Sequence, residues 1–507
     1  FVVAGSPAAQ TTPPNGIRAK TPTLRAFTHV KIVVSPTNTI EDATLVISDG
    51  KVQNVGVGIA IPSGATVFDL KGKTIYPGLI DPYTDYGLPA PEQRPGSRWG
   101  GDRGPQLEGK RVGCNAWNDA IHAERNWVDQ FQPDDKLSQE YLKQGITVAQ
   151  SFKSDGIFRG RAFVTLLGKG LPNDLVIRPY SWHTASFDKG TSTQDYPSSL
   201  MGSIALARQM FFDVEWYRKA RAAYGANPTA KMPEFNTALE ALANTQGEKI
   251  LFETDDEQSL LRAARISQEF HTPFIFEGSG YEYRIAEQIA ATAIPVIIPV
   301  NYPKAPEVKT IEDELDVTLE TLRHWEMAKS NAARLARAGV VIAFTSKGLK
   351  DRSDFLKNVR EAVAFGLSRS SALAALTSVP AELCGVAEHI GTLDRGKFAN
   401  FIITDGDLFD AATNIYSVWV AGTETEFRPV DQTDFRGEYS VRLGEKDVTL
   451  SIKGELAQPT GEIKAGGSQA TLTGLQKEAH KLFFSASLDT IGLTGTVMGA
   501  QIDALLI

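Results

Sequence analysis

The sequence predicts an α/β chain: a parallel (β/α)8, TIM-like barrel preceded by short β-strands and followed by an antiparallel β domain. Three observations carry this. The 507 residues exceed one ordinary domain and suit a barrel of about 250 residues with smaller partners. From Lys249 to Phe365, short apolar strands alternate with amphipathic helices, as in a parallel sheet. Before Leu70 and after Pro429, short β-rich runs instead alternate with turns.

Taken in order, Phe1 to Gln10 resembles the end of an apolar signal-peptide segment followed by small residues, and residues 1–25 are expected to be a leader remnant and linker. An exported protein, periplasmic or extracellular, is therefore expected. The runs Val30–Val34, Ala43–Ser48, Lys51–Gly56 and Thr66–Leu70 are predicted strands, with Asp49-Gly50 as a two-residue hairpin turn. An apolar strand follows from Ile75 to Ile80. Leu137–Gln144 is a predicted helix ended by Gly145, and Ile146–Ala149 the strand after it. Tyr196–Tyr217 is an amphipathic helix with Ser198 or Ser199 as its cap.

Four βα steps come next. Their strands are Lys249–Glu253, Pro273–Glu277, Pro295–Val300 and Val340–Phe344, and their helices include Glu257–Phe270, Thr318–Ala338 and Asp354–Phe365. Beyond residue 430, alternating runs such as Gly437–Leu443, Lys446–Lys453 and Leu493–Val497 predict the antiparallel domain. The apolar end at Ile507 suggests a buried last strand or a chain that continues.

Composition excludes several partners. Hydrophobic residues make up 42% and charged residues 22%, enough for a full-sized core. A net charge of −8 with no Lys/Arg stripe argues against nucleic acid. No window reaches the roughly 18 apolar residues of a membrane span. Cys114 and Cys384, far apart and in no ligand-like spacing, are expected to be two unpaired, buried thiols, with a single disulfide as the alternative.

The run Asp69-Leu-Lys-Gly-Lys-Thr-Ile-Tyr-Pro-Gly-Leu-Ile-Asp81 resembles the entrance to the metal-dependent amidohydrolase superfamily, among its imidazolonepropionase-like and prolidase-like exported members. Gly391-Thr-Leu-Asp-Arg-Gly-Lys-Phe-Ala-Asn-Phe-Ile-Ile-Thr404 resembles that superfamily's return strands. The resemblance implies a barrel over residues 76–385 and a composite β-sandwich made from 26–75 and 386–430, with 431–507 as the appended domain.

It also implies a metal site at the strand ends, where imidazole and carboxylate ligands would lower the pKa of a bound water. Here the ligand positions carry other residues. Tyr83 and Asp85 stand where the family has a His-x-His pair, Glu253 and Glu277 where it has later histidines, and Ser346 or Lys347 where it has a terminal Asp. A histidine-bound zinc is therefore not expected, and no cofactor is assigned. Three carboxylates cannot all remain ionised in a partly dry pocket without a cation, so the Lys347 ammonium is expected to take the metal's place. Arg159 is a candidate clamp for a substrate carboxylate, or one end of a structural turn with Asp155. A His183–Ser186 nucleophilic pair lacks a third, orienting group.

The leading expectation is a catalytically degenerate module acting as structural or regulatory partner of an active amidohydrolase module, in an oligomer or in a longer chain. One alternative is a hydrolase of amide, cyclic amide or peptide bonds using Mg²⁺ or Mn²⁺ on Asp85, Glu253 and Glu277. Another is a ligand-binding barrel without turnover.

Overall fold

The apolar run from Ile75 to Ile80 forms two strands, and the break between them joins two sheets. The computed structural model describes residues 23–89, 109, 111–227, 229, 231–429, 435–443, 446–455, 458–465, 468–478, 481–487 and 496–503. Most of the expected leader, residues 1–22, thus lies outside the described residues, as do residues 493–495 of the last expected strand and the C-terminal residues 504–507. Thr74–Pro77 belongs to an eight-stranded sheet and Leu79–Thr84 to a four-stranded one. Gly78 is the joint. Its N–H donates to the Asn400 carbonyl (2.9 Å), and a Cβ there would overlap the buried Thr147 side chain, so a residue without a side chain is needed.

The eight-stranded sheet draws on chain from both sides of the α/β region. Thr423–Glu426, Ile415–Val420 and Phe401–Thr404 join Thr74–Pro77, Leu24–Ser35, Asn38–Ser48 and Lys51–Gly56 in that order, and Thr66–Asp69 pairs with Leu24–Ser35. Asp49 and Gly50 take positive φ of 49° and 77°, the geometry a tight two-residue hairpin requires. Register breaks along Leu24–Ser35 bend the sheet over an aromatic core. In it Phe27 stacks on Phe68 (5.0 Å) and Trp419 on Phe401 (5.4 Å), with Phe27 edge-on to Trp419.

The α/β region holds two further sheets. His183–Ser186, Ile250–Glu253, Phe274–Glu277, Val296–Pro299 and Ile342–Thr345 run parallel in sequence order, and Phe158–Arg161 adds an antiparallel edge. Leu79–Thr84 runs parallel to Ile146–Ser151, which pairs antiparallel with Phe163–Leu166, and Val176–Arg178 pairs antiparallel with Phe163–Leu166 at the sheet edge. These strands are buried nearly throughout, as strands covered on both faces must be. Side chains link the two sheets: Thr345 Oγ1 donates to Asp81 Oδ1 (2.7 Å) and to the Tyr83 carbonyl (3.0 Å).

Several element bounds differ from expectation for local reasons. The long helix covers Leu200–Ala226, beginning after Pro197 because Ser199 caps it by accepting from the Gly202 N–H (3.2 Å). The helix expected over Thr318–Ala338 divides into Leu319–Met327, a 3₁₀ turn at Ala328–Ser330, and Asn331–Arg337. Cys384 is buried, but Cys114 lies on an exposed loop; both are free thiols. The C-terminal region forms antiparallel sheets from Gly437 to Thr471 and from Thr473 to Asp503. Among the described residues no helix is long and apolar enough to cross a membrane.

Gly78→Ala tests the joint between the sheets. It is expected to cost about 1–3 kcal/mol by overpacking, measured as a lower denaturant midpoint. The loss should be smaller in a Thr147→Ala background than additivity requires.

Candidate functional site

The site begins with a register. Ile250-Leu-Phe-Glu253 and Phe274-Ile-Phe-Glu277 pair in parallel with Glu253 opposite Glu277, so both carboxylates leave the sheet at the same level. Neighbouring strands lie about 4.8 Å apart, and two like charges at that spacing need a cation. Lys347 supplies one. It follows the Ile342–Thr345 strand, and its Nζ lies 2.8 Å from Glu277 Oε2 and 3.0 Å from Glu253 Oε1.

Arg159, on the Phe158–Arg161 strand, is the second cation. Its side chain is almost wholly buried; Nη1 lies 2.5 Å from Glu253 Oε2 and Nε donates to the Gly156 carbonyl (2.9 Å). Tyr83, also buried, donates its hydroxyl to Glu253 Oε2, and that hydroxyl is 2.6 Å from Ser154 Oγ. The Lys347 ammonium sits over the Tyr83 ring, 4.5 Å from its centroid.

The two glutamates are pushed in opposite directions. Burial raises Glu253, but Arg159, Lys347 and the Tyr83 hydrogen bond outweigh it and bring its pKa to about 2. Burial dominates at Glu277, which rises to about 8; Lys347 opposes this without cancelling it, and the Glu253 charge adds to it. Burial and the adjacent Glu253 hold the Tyr83 phenol well above its usual range.

The structure brings together Tyr83, Glu253, Glu277, Lys347 and Arg159. It does not bring in Asp85. The Leu79–Thr84 strand has ended, and Asp85 lies exposed on the rim of an open cleft of about 1000 Å³ that Tyr83, Lys153, Ser346, Lys347 and Arg352 also line. The expected turn between Asp155 and Arg159 is not formed. Asp155 instead accepts from the Thr191 N–H and hydroxyl (2.6 and 2.9 Å), while Arg159 turns inward to Glu253. His183 and Ser186 occupy opposite ends of one four-residue strand, about 10 Å apart along it, and the Ser186 hydroxyl accepts from the Asp188 N–H.

Sequence reasoning missed two contributors. Ser154 completes the contacts of the Tyr83 hydroxyl. Asp81 is fully buried and accepts from Thr345 Oγ1, Ser346 N–H (3.0 Å), Ser346 Oγ (2.5 Å) and Tyr83 N–H (3.2 Å). Burial raises its pKa against those hydrogen bonds. Its place at the end of Pro77-Gly-Leu-Ile-Asp81 was the available signal.

As arranged, the donor set does not suit a divalent ion. Both carboxylates are already bonded to an ammonium or a guanidinium. Among the described residues, no three His, Cys, Asp or Glu side chains converge as a ligand group.

Comparison with known proteins adds the lineage. Residues 317–425 match the Amidohydrolase family. Over 75 residues the chain is 38% identical to imidazolonepropionase of Deinococcus radiodurans, a match spanning 15% of this chain and only 16% of that protein. The crystal structure of an amidohydrolase from Thermotoga maritima MSB8 aligns with 80% of this chain and 100% of its own length, at 21% identity and a TM-score of 0.62. That likeness is one of fold, and it agrees with the match of residues 317–425 to the Amidohydrolase family and with the resemblance carried by the Asp69–Asp81 and Gly391–Thr404 runs.

Proposed function

We propose that this chain is an amidohydrolase-fold module in which the Lys347 ammonium stands in for the metal, and that it serves as structural or regulatory partner of an active amidohydrolase module. The observation that carries this reading is the bridging position of Lys347 Nζ, within 3.0 Å of both Glu253 and Glu277. A single ammonium supplies the positive charge that two facing carboxylates need, and it has no open coordination position with which to activate water. In this reading the two parallel sheets are halves of one (β/α)8 barrel, drawn together at Asp81, and export places the protein in the periplasm or outside the cell.

A second reading is a hydrolase of carbon–nitrogen bonds holding Mg²⁺ or Mn²⁺ on the same carboxylates. The open cleft beside Lys347 favours it, since a substrate would have access. The two readings part on metal content. Metal analysis of the purified protein is expected to find no stoichiometric zinc, magnesium or manganese, with no turnover of simple dipeptides or lactams. A bound stoichiometric metal would overturn the first reading. Lys347→Ala is expected to lower stability by about 1–3 kcal/mol by leaving the carboxylates uncompensated, a value moderated by the partial exposure of the ammonium.

The glutamates set a pH dependence whose sign follows from linkage. Glu253, lowered to about 2, contributes stability that is present above its unfolded value near 4.5 and lost as pH falls toward 2. Glu277, raised to about 8, contributes stability that is complete below pH 4.5 and lost as pH rises through 8. Glu277→Gln removes the second effect. Its denaturant midpoint, compared with wild type between pH 5 and 9, is expected to gain ground as pH rises; parallel curves would refute the shift.

A further inference from the structure

The Lys347 ammonium is paired on one side and open on the other. Its Nζ lies 2.8 Å from Glu277 Oε2 and 3.0 Å from Glu253 Oε1, with the centroid of the Tyr83 ring 4.5 Å away. The Lys347 side chain nonetheless keeps 31% exposure and lines the open cleft of about 1000 Å³, whereas that of Glu277 keeps 1%. A small molecule in the cleft therefore meets the nitrogen before the acid behind it. A primary amine open to a cleft, with a carboxyl group within reach for proton transfer, is the arrangement that imine formation with carbonyl compounds requires.

We propose that Lys347 forms a Schiff base with a small aldehyde or ketone entering this cleft, with Glu277 as the proton carrier. The inference rests on the reading that the Lys347 nitrogen, rather than a metal, lies between the two carboxylates. Glu277 Oε2 takes one proton from the ammonium, a transfer that burial favours because it leaves a neutral pair. The amine nitrogen then bonds to the carbonyl carbon while a second of its protons moves to the carbonyl oxygen, giving a carbinolamine. Glu277 returns its proton to that hydroxyl, the C–O bond breaks and water leaves. Ammonium and carbonyl have become iminium and water, with no oxidant or further reactant.

The site suits this product because the charge is conserved. Glu253 and Glu277 need a cation between them, and the iminium supplies one as the ammonium did. The Tyr83 ring beside Nζ attracts either cation. Arg159, the other cation at Glu253, is a guanidinium that does not give up its proton, and it remains a fixed charge while the Lys347 nitrogen reacts.

Reductive trapping tests it. The full chain is incubated with pyruvate, or separately with acetaldehyde, in the presence of sodium cyanoborohydride, which reduces an iminium to a stable secondary amine, and labelling of each lysine is followed by peptide mass spectrometry. With at least one probe, Lys347 is expected to be labelled faster than the exposed Lys219 and Lys357. Glu277→Gln should slow labelling of Lys347 by about a hundredfold or more while leaving those two lysines unaffected. Lys347→Arg, which keeps a cation between the carboxylates, should retain a cooperative thermal unfolding transition and lose the fast adduct from the intact mass. In protein that metal analysis shows to be metal-free, labelling of Lys347 no faster than Lys219 and Lys357 with both probes, or a rate unchanged in Glu277→Gln, overturns the inference and leaves the placement of Lys347 standing. A bound stoichiometric metal would overturn that placement, and the inference with it.

Discussion

The register that sets Glu253 opposite Glu277 is the constraint from which the rest of the site follows. Two in-register strands deliver two carboxylates to one level at the end of the sheet, where burial removes the water that would screen them. Their charge must be met by groups from elsewhere in the chain, and both cations come from sequence-distant strands: Arg159 from one edge of the sheet and Lys347 from just beyond its other end. The division is unequal. Glu253 takes both cations and the Tyr83 hydroxyl, whereas Glu277 shares only Lys347 and is the more deeply buried. Opposite shifts of the two acids are the consequence.

Three successive residues show how the surrounding fold serves this arrangement. Thr345 and Ser346 are committed to Asp81, tying the last parallel strand to the first. The Lys347 N–H donates to Thr345 Oγ1 (3.2 Å). With the chain fixed on one side by Asp81, the next side chain is the one that reaches the carboxylates. Asp81 itself is satisfied by neutral donors, so it aligns the chain without adding another cation to the cluster.

Much of this was legible in sequence because strand ends are legible. Apolar runs closed by a single polar residue, as in Ile250–Glu253 and Phe274–Glu277, mark side chains leaving a buried sheet, and Lys347 follows such a run. Tyr83 was found through the Pro77–Asp81 frame. Asp85 failed because two-residue alternation applies only while the strand continues, and the strand stops at Thr84. The break at Gly78 was hidden since Ile75–Ile80 is uniformly apolar; only the close approach of Thr147, a residue far along the chain, requires it. The partnership of Arg159 with Glu253 joins residues 94 positions apart, a distance over which local pattern carries no information.

A buried ion network is poor evidence of a need for stability, since apolar side chains of the same volume often hold a fold equally well or better. Stability alone therefore does not account for two acids, two cations and a phenol beneath an open cleft of about 1000 Å³. The network holds a polar floor in a defined geometry: every charged group in it is paired, and the face of the Lys347 ammonium toward Tyr83 and the cleft keeps partial access to solvent. An apolar replacement would close that floor by collapse. What the ion pairs maintain is thus an open cleft with a polar floor of fixed geometry.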